Sequence, residues 1–279
     1  MSKDVVVLAV HGMGDTPPDF ANELEEKLAA SLGPAGWARV HFASIYYQSV
    51  LQANQERVMR AMRSEDLDGI RLRRFLLYGF SDAAGMERRA ANPGSPYQQA
   101  QKIIRGVLKE AYETVGGAKP VVIIAQSLGC QVISNYLWDA QKAGKAGQGV
   151  WKSPTTKRGS PLDSFLRLKS LRFFYTTGCN IPIFLAGFPQ EKILAVKTAD
   201  GGYAFRWNNY YDEDDVLGWP LKPLSPSYGQ AVYRDYAINA NGTLLGSITH
   251  GWNALSHTRY WTDADVLKPL ATDIRNLMV

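Results

Sequence analysis

Short apolar runs recur along this chain, separated by longer stretches in which apolar residues are spaced at helical intervals. Residues 5–10 and 121–125 are apolar at every position, a pattern typical of strands buried on both faces of a parallel sheet. Three further runs rich in β-branched and aromatic residues, at 38–47, 171–177 and 204–211, are also predicted strands. The pattern therefore predicts at least five strands.

Helical periodicity fills most of the stretches between these strands. Apolar residues recur every four positions over 20–32, and the Gly33-Pro34 pair is expected to end that helix. A second helix is expected to begin at the Ser95 cap, and a third covers 128–137, directly after the strand at 121–125. The last helical pattern runs from about residue 262, where Pro269 is a candidate break.

Alternating strands and helices predict an α/β fold with a mostly parallel central sheet flanked by helices on both faces. The 279 residues, 46% of them hydrophobic, are enough for one large core, so residues 1–279 are expected to form a single domain. Segments near 66–95, 141–161 and 181–203 do not fit the alternation. They are expected to be cap or lid-like loop insertions, and 141–161 is expected to be an exposed loop.

Charge and composition narrow the functional classes. A net charge of +5, from 31 basic and 26 acidic side chains, is too small to argue for nucleic acid, and none is expected as a partner. No apolar run approaches the length of a transmembrane helix, and residues 5–10 are too short for the core of a signal peptide. Cys130 and Cys179 do not make a disulfide framework, so a reduced, cytoplasmic protein is expected.

The strand at 121–125 leads into the segment with the clearest chemical signal. Ser127 stands at the turn from strand to helix, with Ala125 two residues before it and Gly129 two residues after it. A chain that reverses this sharply brings neighbouring backbones together, so small residues are needed on both sides of the serine. The turn then presents the serine above the sheet, at the positive end of a helix dipole.

This segment resembles the nucleophile elbow of the α/β-hydrolase superfamily, in its lipase- and esterase-like branch, with Ala125 in place of the first glycine. The resemblance implies an α/β-hydrolase fold with Ser127 as nucleophile. It extends to His11-Gly12 after the first strand, which implies an oxyanion hole formed by the backbone N–H groups of Met13 and Leu128. His11 itself is expected to anchor the loop.

The superfamily supplies its remaining catalytic groups in the order carboxylate, then histidine. Two histidines follow Ser127. His257 is favoured as the general base because it lies in a loop before the final helix and shortly before a Tyr-Trp pair, and His250 is the alternative.

The acid is expected in the turn after the strand at 204–211. The Asp-x-Val pattern of related hydrolases selects Asp214, with Asp212 and Asp215 as close alternatives. An acidic turn of this kind could instead be a solvated loop or a Ca²⁺ site, although it lacks the pattern of an EF-hand.

The sequence thus predicts a serine hydrolase that cleaves a small-molecule or lipid-like carboxylic ester through an acyl-enzyme. No metal and no organic cofactor are expected. Two alternatives stay open: a hydrolase fold without activity that acts as a binding protein, and an acyltransferase or thioesterase that uses the same residues.

Overall fold

The computed structural model of the protein describes residues 2–14, 16–62, 70–85, 92, 94–142, 149–152, 155–239 and 259–278. Within these ranges the strands are β1 (Val5–Val10), β2 (Val40–Ile45), β3 (Val121–Gln126), β4 (Leu171–Thr177), β5 (Arg206–Asp212) and β6 (Val232–Ile238). The helices are α1 (Asn22–Trp37), α2 (Ser49–Met62), α3 (Ile70–Gly85), α4 (Pro96–Thr114), α5 (Leu128–Lys142), α6 (Pro161–Leu166), α7 (Ile181–Leu185), α8 (Pro226–Ala231) and α9 (Ala264–Asn276).

The strands form one sheet in the order β2-β1-β3-β4-β5-β6, and every neighbouring pair is parallel. In the ladders Val10 pairs with Ala125, and Ala125 pairs with Thr176. The carboxyl ends of β1, β3 and β4 are therefore level with one another, and the loops that follow them emerge side by side.

The two faces of the sheet pack into separate apolar cores. Alternate residues of β1 point to opposite sides: Val6, Leu8 and Val10 join the core that contains α4 and α5. The intervening residues of β1 join the core that contains α1 and α9. A strand buried on both faces must be apolar throughout, as the sequence of β1 is. The predicted α/β class, with a parallel sheet flanked by helices on both faces, is confirmed.

The expectations for two helices had different outcomes. The helix expected to end at Gly33-Pro34 does so, because Gly33 has a non-helical conformation (φ +71°), and the residues from Pro34 to Trp37 form a second short helical segment of α1. Pro269 does not break α9, because the buried face of that helix packs on the sheet and outweighs the loss of one hydrogen bond near its first turn.

Two further differences from the predictions concern the segment 141–161 and strand β6. The segment 141–161 is not exposed throughout, because the side chains of Val150 and Trp151 are buried and the Arg167 guanidinium lies over the Trp151 ring. Strand β6 was not predicted. It is an edge strand with Tyr233, Arg234 and Ala237 exposed, so it lacks the fully apolar run that marks the central strands.

In the described part of the chain, no helix combines the length and the apolar character needed to cross a membrane.

Candidate active site

Ser127 occupies the sharp turn between β3 and α5. Its φ is +51°, and it is one of two non-glycine residues in the described ranges with positive φ. This conformation is costly for a residue with a Cβ, and it persists only where the surrounding structure imposes it. The Ser127 N–H donates to the carbonyl oxygen of Thr177 at the end of β4, over 2.9 Å. Neighbouring strands therefore hold the turn in place.

Two glycines allow the loop after β1 to lie directly against this turn. A Cβ atom on Gly12 would lie 2.8 Å from the Ser127 Cβ. A Cβ atom on Gly129 would lie 2.3 Å from the carbonyl oxygen of His11. Real Cβ atoms essentially never come so close to other heavy atoms, so any other residue at either position would push the loop away from the nucleophile.

The Ser127 hydroxyl is buried, yet it makes no hydrogen bond that would support the fold within the described ranges. The residue is only 1% exposed, and its Oγ has no hydrogen-bond partner among the residues that the structure describes. A buried hydroxyl without a partner costs free energy. A functional role for this oxygen explains why such a cost is tolerated.

His11 anchors the loop, as the sequence predicted. Its Nε2 accepts the backbone N–H of Tyr47 over 3.0 Å, and its Nδ1 lies 2.7 Å from the carbonyl oxygen of Gly12. Its ring also stacks on that of Tyr47, with the centroids 4.0 Å apart. Burial lowers the pKa of His11 to about 4, so the ring is neutral at pH 7 with the proton on Nδ1.

Because the pKa of His11 is lower in the folded protein than in the unfolded chain, acidification should weaken the fold. Below about pH 6.5 the unfolded chain binds a proton that native His11 does not bind until about pH 4, which amounts to about 3 kcal/mol over that window. We expect the stability advantage of wild type over His11→Gln, measured by urea unfolding, to shrink from pH 7.5 to pH 4.5. A difference independent of pH would contradict this, and other titrating groups cancel in the comparison.

Of the two expected oxyanion donors, Leu128 directly follows Ser127 and Met13 directly follows Gly12, which touches Ser127. Leu128 is the first residue of α5 and is fully buried. Within the described ranges, the N–H groups of Met13 and Leu128 have no backbone acceptor in the surrounding turns and loops.

The acidic turn after β5 separates the three candidate carboxylates by burial. Asp212 and Asp215 are 2% and 4% exposed, whereas the side chain of Asp214 is exposed. Asp212 Oδ1 accepts the N–H of Asp214 over 2.9 Å. In the residues that the structure describes, no group of three or more His, Cys, Asp or Glu side chains is arranged to hold a metal ion.

Asp215 is joined to the residues that follow His257 in the sequence. Its Oδ2 accepts the Tyr260 hydroxyl over 2.8 Å, and its Oδ1 accepts the N–H of Leu217 over 3.0 Å. The Tyr260 oxygen in turn accepts the N–H of Asp212 over 2.9 Å. Burial, together with Asp215, raises the pKa of the Tyr260 hydroxyl, so Tyr260 remains a donor to Asp215.

The next residue, Trp261, connects the same part of the chain to the nucleophile turn. Its Nε1 donates to Thr177 Oγ1 over 3.1 Å, and the carbonyl oxygen of Thr177 accepts the Ser127 N–H. His250 and His257 themselves lie outside the described residues. The structure therefore brings Ser127, Met13 and Leu128 together, and it places the residues just after His257 between the nucleophile turn and the acidic turn.

The cysteines belong to the core. Cys130 and Cys179 are fully buried, and burial raises the pKa of the Cys130 thiol well above its ordinary value, which disfavours the thiolate. Among the described residues that sequence reasoning missed, Asp82 is the most informative, because its carboxylate accepts the N–H of Gly14 in the loop after β1. No local motif marks a hydrogen bond between residues so distant in the chain.

Comparisons with family models and with curated proteins produced no match. Among solved structures, the chain is similar to a crystal structure from Xanthomonas campestris pv. campestris that is described provisionally as a hydrolase of the alpha/beta superfamily. The alignment covers 98% of this chain and 99% of that chain, with 11% sequence identity and a TM-score of 0.42. A likeness this distant does not assign an activity, so a functional conclusion depends on the geometry of the chain itself.

Proposed function

We propose that this protein is a serine hydrolase that cleaves a carboxylic ester through an acyl-enzyme on Ser127. The observation that carries the proposal is the conformation of Ser127: a buried serine with φ +51° at a strand-to-helix turn, its hydroxyl without a partner among the described residues and its Cβ against Gly12. A strained backbone and an unsatisfied buried oxygen in one residue are features of functional sites.

In the proposed reaction, the base removes the Ser127 proton as Oγ attacks the ester carbonyl. The N–H groups of Met13 and Leu128 stabilise the oxyanion, and the dipole of α5 favours negative charge at the same place. The base then gives its proton to the departing alcohol. A water molecule, activated by the same base, attacks the acyl-enzyme and releases the carboxylic acid.

We propose His257 as the base. It precedes Tyr260 by three residues, so its Cα lies within about 11 Å of the Tyr260 Cα whatever the conformation between them. Tyr260 and Trp261 are bound to the acidic turn and to Thr177 respectively. These contacts favour His257 over His250, which is ten residues from Tyr260 in the sequence.

For the acid, burial favours both Asp212 and Asp215 over Asp214, and the hydrogen bond from Tyr260 to its carboxylate favours Asp215; Asp214 remains the prediction from the sequence pattern. A carboxylate that orients a histidine is most effective where water does not screen it, and Asp214 is exposed. Asp215 is buried, and its carboxylate accepts the hydroxyl of Tyr260, which follows the proposed base His257 by three residues. Replacement of each carboxylate decides between them, as set out in the Discussion.

Labelling with a fluorophosphonate probe tests the proposal directly. We expect the folded wild-type protein to react at one site, and the peptide that contains Ser127 to carry the adduct in mass spectrometry. The Ser127→Ala variant should show no adduct. Absence of reaction with folded wild type, or equal labelling of Ser127→Ala, would refute the proposal and favour a binding protein without hydrolase activity.

A further inference from the structure

The loop after β1 carries the proposed oxyanion donor Met13, and its own residues constrain its backbone only weakly. Met13 stands between Gly12 and Gly14, and Gly14 has a φ of +101°. Glycine lacks the Cβ that restricts backbone rotation, so a residue with glycine on both sides is poorly constrained by its own segment. Contacts from elsewhere in the chain must therefore fix the direction of the Met13 N–H.

One turn of α3 makes two such contacts. Asp82 Oδ2 accepts the N–H of Gly14 over 2.9 Å. One turn earlier, a Cβ atom on Gly79 would lie 3.0 Å from the Met13 Sδ, so the helix packs closely on the Met13 side chain. The same helix thus contacts two consecutive residues of the loop, one through its backbone and the other through its side chain.

Asp82 is itself held firmly. It is fully buried, and its Oδ1 accepts a hydrogen bond from Gln55 Nε2 of α2. Gln55 Nε2 also lies 2.8 Å from Ser81 Oγ, and Gln55 Oε1 lies 3.3 Å from Gln48 Nε2. Burial raises the pKa of Asp82 to about 6, against the effect of its two hydrogen bonds. Burial of a carboxyl group costs free energy, so packing alone does not explain the presence of Asp82 at this position.

We infer that Asp82 is a positioning residue for the oxyanion hole: by binding the Gly14 N–H, it orients the neighbouring Met13 N–H toward the substrate oxyanion beside Ser127. Asp82 acts through the loop and does not touch the substrate. The inference rests on the proposed function, because the oxyanion hole has a role only if Ser127 forms an acyl-enzyme.

Kinetics of three variants test this inference. Asp82→Ala removes the acceptor, and we expect kcat for ester hydrolysis to fall about 100-fold, as expected when an oxyanion donor is misplaced, while KM changes less than about threefold. Asp82→Asn keeps an oxygen that can accept the Gly14 N–H, so kcat should recover to within about fivefold of wild type. Asp82→Ser, with a side chain too short to reach Gly14, replaces Asp82→Ala if the alanine variant does not fold.

Asp139→Asn is the matched control. Asp139 is also fully buried and also accepts two hydrogen bonds, from the Tyr97 hydroxyl and from Gln101 Nε2, but those donors are side chains of α4. We expect this variant to lose stability and to keep the kcat of wild type. A role of Asp82 in stability alone would instead give both positions the same kinetic behaviour.

Two outcomes would overturn the inference: a folded Asp82→Ala or Asp82→Ser variant with kcat within twofold of wild type, or a loss in Asp82→Asn as large as in Asp82→Ala. Ser127→Ala, measured in the same assay, separates this failure from failure of the proposed function. If Ser127→Ala is inactive and Asp82→Ala is fully active, only the inference on Asp82 fails. If Ser127→Ala remains active, the proposed function fails as well.

Discussion

Replacement of Ser127 by alanine is expected to lower kcat for hydrolysis of p-nitrophenyl acetate by about a millionfold, as removal of the nucleophile does in serine proteases. Without Oγ there is no acyl-enzyme, and only binding and the oxyanion donors can still act on the ester. KM should change little, because the methylene and hydroxyl of one serine contribute little to ground-state binding. Initial rates measured over a range of ester concentrations give both constants.

Ser134→Ala is the control for this substitution. Ser134 is a buried serine of the same helix, α5, and lies two turns beyond the nucleophile turn. The substitution removes one hydroxyl group at comparable burial and outside the site, so the kcat of this variant should stay near that of wild type. Residual activity of Ser127→Ala above about one thousandth of wild type would contradict the nucleophilic role. Binding and the oxyanion donors alone, without a nucleophile, account for less activity than that.

Replacement of Asp215 by asparagine is expected to have the next largest effect, a fall in kcat of about 10⁴-fold. An amide in this position cannot stabilise the imidazolium that forms in the transition state, and it favours the wrong tautomer of the histidine. The equivalent substitutions Asp212→Asn and Asp214→Asn should lower kcat by about tenfold at most, since neither removes the proposed acid.

The three asparagine variants form an internally controlled series, because each removes one charge from the same turn. Thermal unfolding of each variant must accompany the kinetics, since Asp212 and Asp215 are buried and their loss can also weaken the fold. A fall in kcat much larger for Asp214→Asn than for Asp215→Asn would support the assignment from the sequence pattern and reject the one from burial. The largest fall in Asp212→Asn would reject both.

Most of the central sheet could be predicted because its strands are buried on both faces. Such strands must be apolar at nearly every position, and that pattern is visible in β1 and β3 without any knowledge of their neighbours. Strand β6 lies at the edge of the sheet with Tyr233 exposed, so burial imposes no comparable pattern on it. Pro269 was misjudged because packing of the surrounding helix outweighs its local preference.

The candidate site, like the sheet, could be predicted only where it depends on residues that are adjacent in the chain. The turn at Ser127 and the small residue Gly129 could be predicted because a strand-to-helix turn depends on residues that are adjacent in the chain. Burial of Asp212 and Asp215 and exposure of Asp214 depend on what packs over the turn after β5, including Tyr260, which lies 45 residues beyond Asp215. Local sequence carries no information on that contact.

The sequence by itself determined the α/β architecture and the strand-to-helix turn that presents Ser127, the proposed nucleophile, because both follow from patterns of neighbouring residues. Only the tertiary structure decided which carboxylates of the acidic turn are shielded from water and what binds the loop after β1. Asp82 and Gly14 are 68 residues apart, and only the packing of α3 against that loop brings a buried carboxylate to one backbone N–H. A hydrogen bond of this kind forms because distant segments of the chain pack together, so no motif in either segment predicts it.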